Sequence, residues 1–299
     1  MIFFVIMGHC MELYPSPQIN MVYKFIYSFH MPVFIFISGV LAKFNRAKIV
    51  KHILMPYLVF QTLYILCKKI TGEEADYQYT TPYWILWFLL VILFYYILIP
   101  MLPPHKNQKH ALISLCVSFL LALIVGFSNS IGYYLSLSRF FVFLPFFILG
   151  YYYQLIIRNI LNNNKTKRIA LILGIVCTVI GEIYIYYNSV PKAALFGSYC
   201  YGESQGCLLD RFVFLLTGLS WIVLFKCLTS CKPLPIISVI GRNTMPIFLF
   251  HGFVIRALSA INFFVFPIGM NLMISCIFAL LIMLIFGNSH VGKAFHKIF

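Results

Sequence analysis

The stretch YSFHMPVFIFISGV, residues 27–40, decides the fold class. Most of it reads as one membrane-spanning segment, residues 23–42, close to the ~20 apolar residues that a helix needs to cross the hydrocarbon core. Nine further apolar segments lie near 1–13, 53–70, 83–101, 110–128, 139–157, 169–188, 208–228, 243–261 and 266–286. The first has only 13 residues and looks cut off at its beginning. The expected fold is all-α: a polytopic integral membrane bundle of about ten transmembrane helices, first helix truncated, forming a single domain over residues 1–299.

Composition agrees. The chain is 62% hydrophobic and only 10% charged, whereas soluble domains are about half apolar and a quarter charged. Too few charges remain to cover a soluble surface, and no signal-peptide cleavage pattern is visible. The net charge of +15 would suggest nucleic acid in a soluble protein. Here the positive-inside rule accounts for it, so the bilayer and not nucleic acid is the expected partner. Basic loops at 43–52, 103–110 and 158–168, the basic stretch 226–242 and the basic tail alternate with acidic or neutral loops. Ten helices with both termini in the cytoplasm follow, with Lys68-Lys69 at an outer helix end as the one exception. Most of the nine cysteines lie in apolar runs and no CxxC pair appears, which gives no zinc or redox signal. Cys200 and Cys207 share one polar loop; spacing leaves open whether they form a disulfide.

Ionisable groups inside a bilayer are costly and mark candidate sites. His9, His30, Arg139, Glu182, Asp210, Arg211, His251 and Arg256 fall mostly in the outer half of the membrane or at its rim in this topology. Each has a plainer reading. Arg139, Asp210 and Arg211 suit helix ends at the interface, Glu182 suits a structural ion pair, and His251 suits an inter-helix hydrogen bond. Pro32 suits the first turn of a helix, which would place His30 just before the second span. Ser38-Gly39 would admit a close backbone neighbour. A short link between the first two helices lets His9 and His30 lie close together, and imidazole takes and gives a proton near neutral pH.

VIMGHC (5–10), followed by FHMPVFIFISG (29–39), resembles the signature of the membrane acyltransferase-3 family, and within it the fucose-4-O-acetylase-like O-acetyltransferases of bacterial surface sugars. LWFLLVILFYY (86–96), SRFFVFLPFFILGYYY (138–153) and IGRNTMPIFLFHGFVI (240–255) resemble further family segments, in family order. The resemblance implies acyl transfer, usually of acetyl, from cytoplasmic acyl-CoA to a hydroxyl of a cell-surface or lipid-linked polysaccharide sugar. It implies a multi-pass protein of the bacterial plasma membrane. His9 matches the family's catalytic histidine and His30 the second motif histidine; Arg139 and His251 match the arginine and the late histidine. The family's first helix usually carries an arginine eleven residues before the Gly-His histidine, a position that falls before Met1. That leaves a late start or an inactive truncated copy as alternatives.

The chemistry expected is general-base activation of the sugar hydroxyl by His9, with His30 orienting it or sharing the proton; a covalent acyl-histidine is the other route. Arg139 or Arg256 would stabilise the oxyanion or hold an acidic sugar, and Glu182, Asp210, Arg211 and His251 are the other candidate substrate-binding residues. Lys43, Arg46, Lys48 and Lys51 are candidates for the CoA phosphates. Acetyl-CoA or another acyl-CoA enters as donor substrate, with no permanently bound cofactor and no metal site. A glycan or small-solute transporter is the rival from another class.

Overall fold

The computed structural model describes residues 1–72, 77–202, 204–229 and 234–299. Among these residues the chain is all-α, without a strand, and Gly202 and Gly206 form a single isolated bridge. In chain order the main helices are α1 (Ile2–Met11), α2 (Pro17–Val40), α3 (Arg46–Ile70), α4 (Trp84–Met101), α5 (Gln108–Phe127), α6 (Tyr134–Tyr151), α7 (Asn164–Tyr187), α8 (Leu208–Leu228), α9 (Pro235–Arg242), α10 (Thr244–Ala260), α11 (Ile268–Phe286) and α12 (Ser289–Ile298). All ten apolar segments are helices. Eight are long and apolar enough to span a membrane, while α1 and α10 are shorter apolar helices. The protein is a polytopic membrane protein. Its outward faces agree: Ile172, Ile175, Val179, Ile180 and Ile183 of α7 are exposed in the chain, a stripe that suits lipid rather than water.

The second span departs from expectation. It starts at Pro17, and Pro32 lies inside it. The start signal is Ser16-Pro17: the Ser16 hydroxyl accepts from the Ile19 amide at 3.2 Å, and a proline at the first helical position forfeits no bond. An internal proline is tolerated in a membrane helix because neighbours compensate for the lost donor. Likewise, α3 starts at Arg46 instead of near 53, through a π-helical turn at Val50–Leu54.

The helices gather into two compact units, Met1–His30 with Thr229–Phe299, and Met31–Leu228; α2 contributes to both. In the first, α1 packs on α10 and α11, and α10 also meets α9 and α12. In the second, α7 packs along α8, and α5 and α4 pack on α6. Small residues set the close approaches there. A Cβ on Gly39 would land on the Phe147 carbonyl oxygen, and one on Gly150 would land on that of Phe36, so α2 and α6 cross nearly backbone to backbone. Ser38-Gly39 thus does what its sequence suggested, at the glycine. Gly218 of α8 leaves room for the rings of Phe146 and Pro32.

Candidate functional site

The histidines of the first unit form its polar centre. α1 ends at Met11, with Glu12 as its C-cap. His9 and Glu12 are three residues apart, the spacing that puts two side chains on one helix face. His9 donates from Nδ1 to Glu12 Oε1 at 3.1 Å. Tyr23, Tyr27 and His30 recur at helical spacing on α2 and share a face. The Tyr23 and Tyr27 hydroxyls donate to the same Glu12 oxygen at 2.9 and 3.0 Å. Their rings stack with centroids 4.0 Å apart. Three donors on one carboxylate oxygen favour its ionised form.

Gly8 makes this approach possible. A Cβ there would lie 3.0 Å from the Tyr27 ring, so the glycine before the motif histidine clears the space for the tyrosine that holds Glu12. From the other side α11 braces α1: Tyr14 and Ser275 share a 2.7 Å hydrogen bond, and Cys276 Sγ lies 3.8 Å from Met7 Sδ.

His30 is buried and donates from Nδ1 to the Ile26 carbonyl at 2.7 Å. It lies in mid-helix and not at a helix start, because α2 begins at Pro17. Its ring meets Tyr27 edge-on at 4.5 Å, so it connects to His9 by way of Tyr27 and Glu12. The ring beside His9 at 5.6 Å is that of His251 on α10. His251 is fully buried and donates from Nδ1 to the Phe248 and Ile247 carbonyls at 2.6 and 3.2 Å. Its Nε2 is buried and has no hydrogen-bond partner among the described residues. Asn243 fixes the start of α10 by donating to the Gly287 and Asn288 carbonyls at 3.0 and 3.1 Å. The Gly-Arg-Asn-Thr piece is therefore a junction that seats the helix carrying His251.

Glu12, Tyr23 and Tyr27 were not among the candidates from sequence. The signal was there: an acid three residues after the Gly-His histidine, and two tyrosines in helical register with His30.

The remaining candidates lie elsewhere. Arg256 is on α10, five residues beyond His251. In the second unit, Lys43, Arg46, Lys48 and Lys51 are exposed around the start of α3, where the Asn45 side chain caps the helix by accepting from the Lys48 amide. From Arg46 on these cations are helical, not in a loop. Arg139 lies over Trp87 at 4.7 Å and Tyr133 at 5.2 Å, and Nε donates to the Phe196 carbonyl. Burial pushes the nearby Tyr199 phenol up to about 12; its oxygen accepts from the Tyr133 hydroxyl. Arg211 is buried, donates to the Tyr199 carbonyl at 2.6 Å and lies over the Tyr201 ring. Asp210 accepts from the Cys207 amide and the Tyr184 hydroxyl, a cap for the start of α8. Glu182 accepts from Trp221 Nε1 at 2.9 Å, joining α7 to α8. Cys200 and Cys207 carry free thiols.

Two things follow chemically from the first unit. A carboxylate on His9 Nδ1 fixes that nitrogen as the protonated one and leaves Nε2 as the basic atom. The His9 side chain retains 14% of its exposure, against 2% for His30 and none for His251. Of the three imidazoles, only His9 has both an acid partner and an open edge.

Residues 1–287 match the family model described as an acyltransferase domain. No curated protein and no solved structure matches the chain.

Proposed function

The chain belongs to the acyltransferase-3 family, and from that membership and the His9–Glu12 dyad we propose that it moves an acyl group, acetyl by preference, from acyl-CoA to a hydroxyl of a cell-surface or lipid-linked polysaccharide sugar. His9 is the general base. Its Nε2 takes the hydroxyl proton as the oxygen attacks the thioester carbonyl; the tetrahedral intermediate collapses, the C–S bond breaks, and His9 returns the proton to the leaving thiolate. Glu12 holds the ring in the required tautomer and offsets the charge of the imidazolium that forms, while Tyr23 and Tyr27 hold Glu12. The observation that carries this reading is the carboxylate on His9 Nδ1.

Both termini face the cytoplasm in this proposal, so α1 runs outward and brings His9 and Glu12 toward the acceptor side. Lys43, Arg46, Lys48 and Lys51, clustered and exposed, receive the CoA phosphates, since clustered cations suit that charge. Arg139 or Arg256 is the cation for an acidic sugar or an oxyanion in this reading.

The test is the O-acetyl content of the producing cell's surface glycan with the intact gene, a deletion, and His9→Ala at matched expression. Loss of ester in both the deletion and the variant supports the transferase. Ester retained in the deletion, with a change in exported glycan, would replace it with a transporter. No change in either quantity points to an inactive copy.

A further inference from the structure

His251, like His30, is a group in the first unit that the reaction above does not use. Its burial and bonding are specific. Nδ1 donates to carbonyls of its own helix, Phe248 and Ile247. A nitrogen that donates there leaves the other ring nitrogen as a bare acceptor in the neutral imidazole. That Nε2 is sealed from solvent and accepts nothing from any described residue. A buried acceptor without a donor costs free energy in the resting protein and calls for an explanation. The His9 ring lies beside the His251 ring, with 5.6 Å between ring centres and a tilt of 30°. Since solvent does not reach Nε2, the neighbour it can serve is part of the protein, and His9 is the neighbour whose hydrogen content changes during turnover.

We propose that His251 is a positioning residue: its Nε2 lone pair faces the His9 ring as an electron-rich acceptor and steadies the His9 imidazolium between the two proton transfers. This rests on the general-base reading of His9. No new bond-making step is added. The hydroxyl proton still goes to His9 and then to the thiolate, and His251 remains neutral throughout. The resting cost of the unpartnered lone pair is recovered only when His9 is charged, so the interaction is stronger at that stage than before it. An interaction of that kind lowers the barrier and not merely the substrate affinity.

The test compares full-length wild type, His251→Phe and His251→Gln in nanodiscs. Steady-state transfer from acetyl-CoA to a surface glycan is measured, with thermal unfolding followed in parallel. Phe keeps a ring and removes the lone pair; Gln keeps an acceptor oxygen. The expected result is a kcat lowered about tenfold or more in the Phe variant, an unchanged KM for acetyl-CoA, and most of kcat recovered in the Gln variant. Equal losses in both variants, or a rise in KM at constant kcat, would overturn the proposal while leaving His9 as base. A wild type that consumes no acetyl-CoA sinks the transferase reading and this role with it. Independently of activity, 15N NMR of histidine-labelled wild type should show a bare Nε2 and a protonated Nδ1 on His251. A proton on Nε2 refutes the assignment even if either variant fails to fold.

Discussion

Replacing Glu12 by glutamine tests the centre of the site with the least disturbance to the fold. The glutamine amide keeps an oxygen where Glu12 Oε1 now accepts from His9, Tyr23 and Tyr27 at 3.1, 2.9 and 3.0 Å, so the two tyrosine hydroxyls keep a partner. What disappears is the negative charge. Exchanging a charge-assisted hydrogen bond for a neutral one costs about 1–2 kcal/mol. If that loss falls on the imidazolium formed in the transition state, the rate drops by roughly 5- to 30-fold at about 1.36 kcal/mol per decade. If the amide nitrogen turns toward His9 Nδ1, the tautomer reverses and moves the proton onto the atom needed as base. The loss then grows toward about 10⁴-fold, the scale of the equivalent change in a serine-protease triad. Expected for Glu12→Gln is therefore a kcat lower by at least about fivefold, with KM for acyl-CoA little changed because the carboxylate acts on the transition state. The assay is steady-state acetyl transfer by purified protein in nanodiscs, with the unfolding midpoint recorded for both forms. A kcat within twofold of wild type, at equal stability, refutes the dyad.

Three other outcomes follow from the packing. Gly8→Val places branched bulk where a single Cβ already sits 3.0 Å from the Tyr27 ring; Tyr27 is displaced from Glu12 and kcat falls, at an overpacking cost of about 1–3 kcal/mol seen in thermal unfolding. Gly150→Leu forces α2 and α6 apart, because even a Cβ meets the Phe36 carbonyl; the unfolding midpoint and the yield of folded protein both drop, while Gly132→Leu, which meets nothing, leaves them unchanged. Asn243→Ala removes two hydrogen bonds to the Gly287 and Asn288 carbonyls, a loss of about 1–3 kcal/mol. Hydrogen exchange should then rise at the start of α10 and in α12, with α7 and α8 unaffected.

Sequence alone determined the membrane class and the ten apolar helices and marked the histidines as candidates, because hydropathy over a span and the rarity of ionisable groups inside it are properties of composition. The family segments added acyl transfer. Helix starts were less legible: the His-Met-Pro piece suggested a start at Pro32, yet Ser16-Pro17 supplies a better cap and the neighbours of α2 absorb the internal proline. The partners of each histidine were decided by tertiary structure. Glu12 lies next to His9 in sequence, but its role depends on two tyrosines brought from α2 and on the gap left by Gly8. His251 lies 242 positions from His9 and meets it because α10 packs on α1. Helical spacing fixes which side chains share a face; it does not fix how far one helix is rotated about its axis against the next, and that rotation determines which imidazole meets a carboxylate and which meets another imidazole.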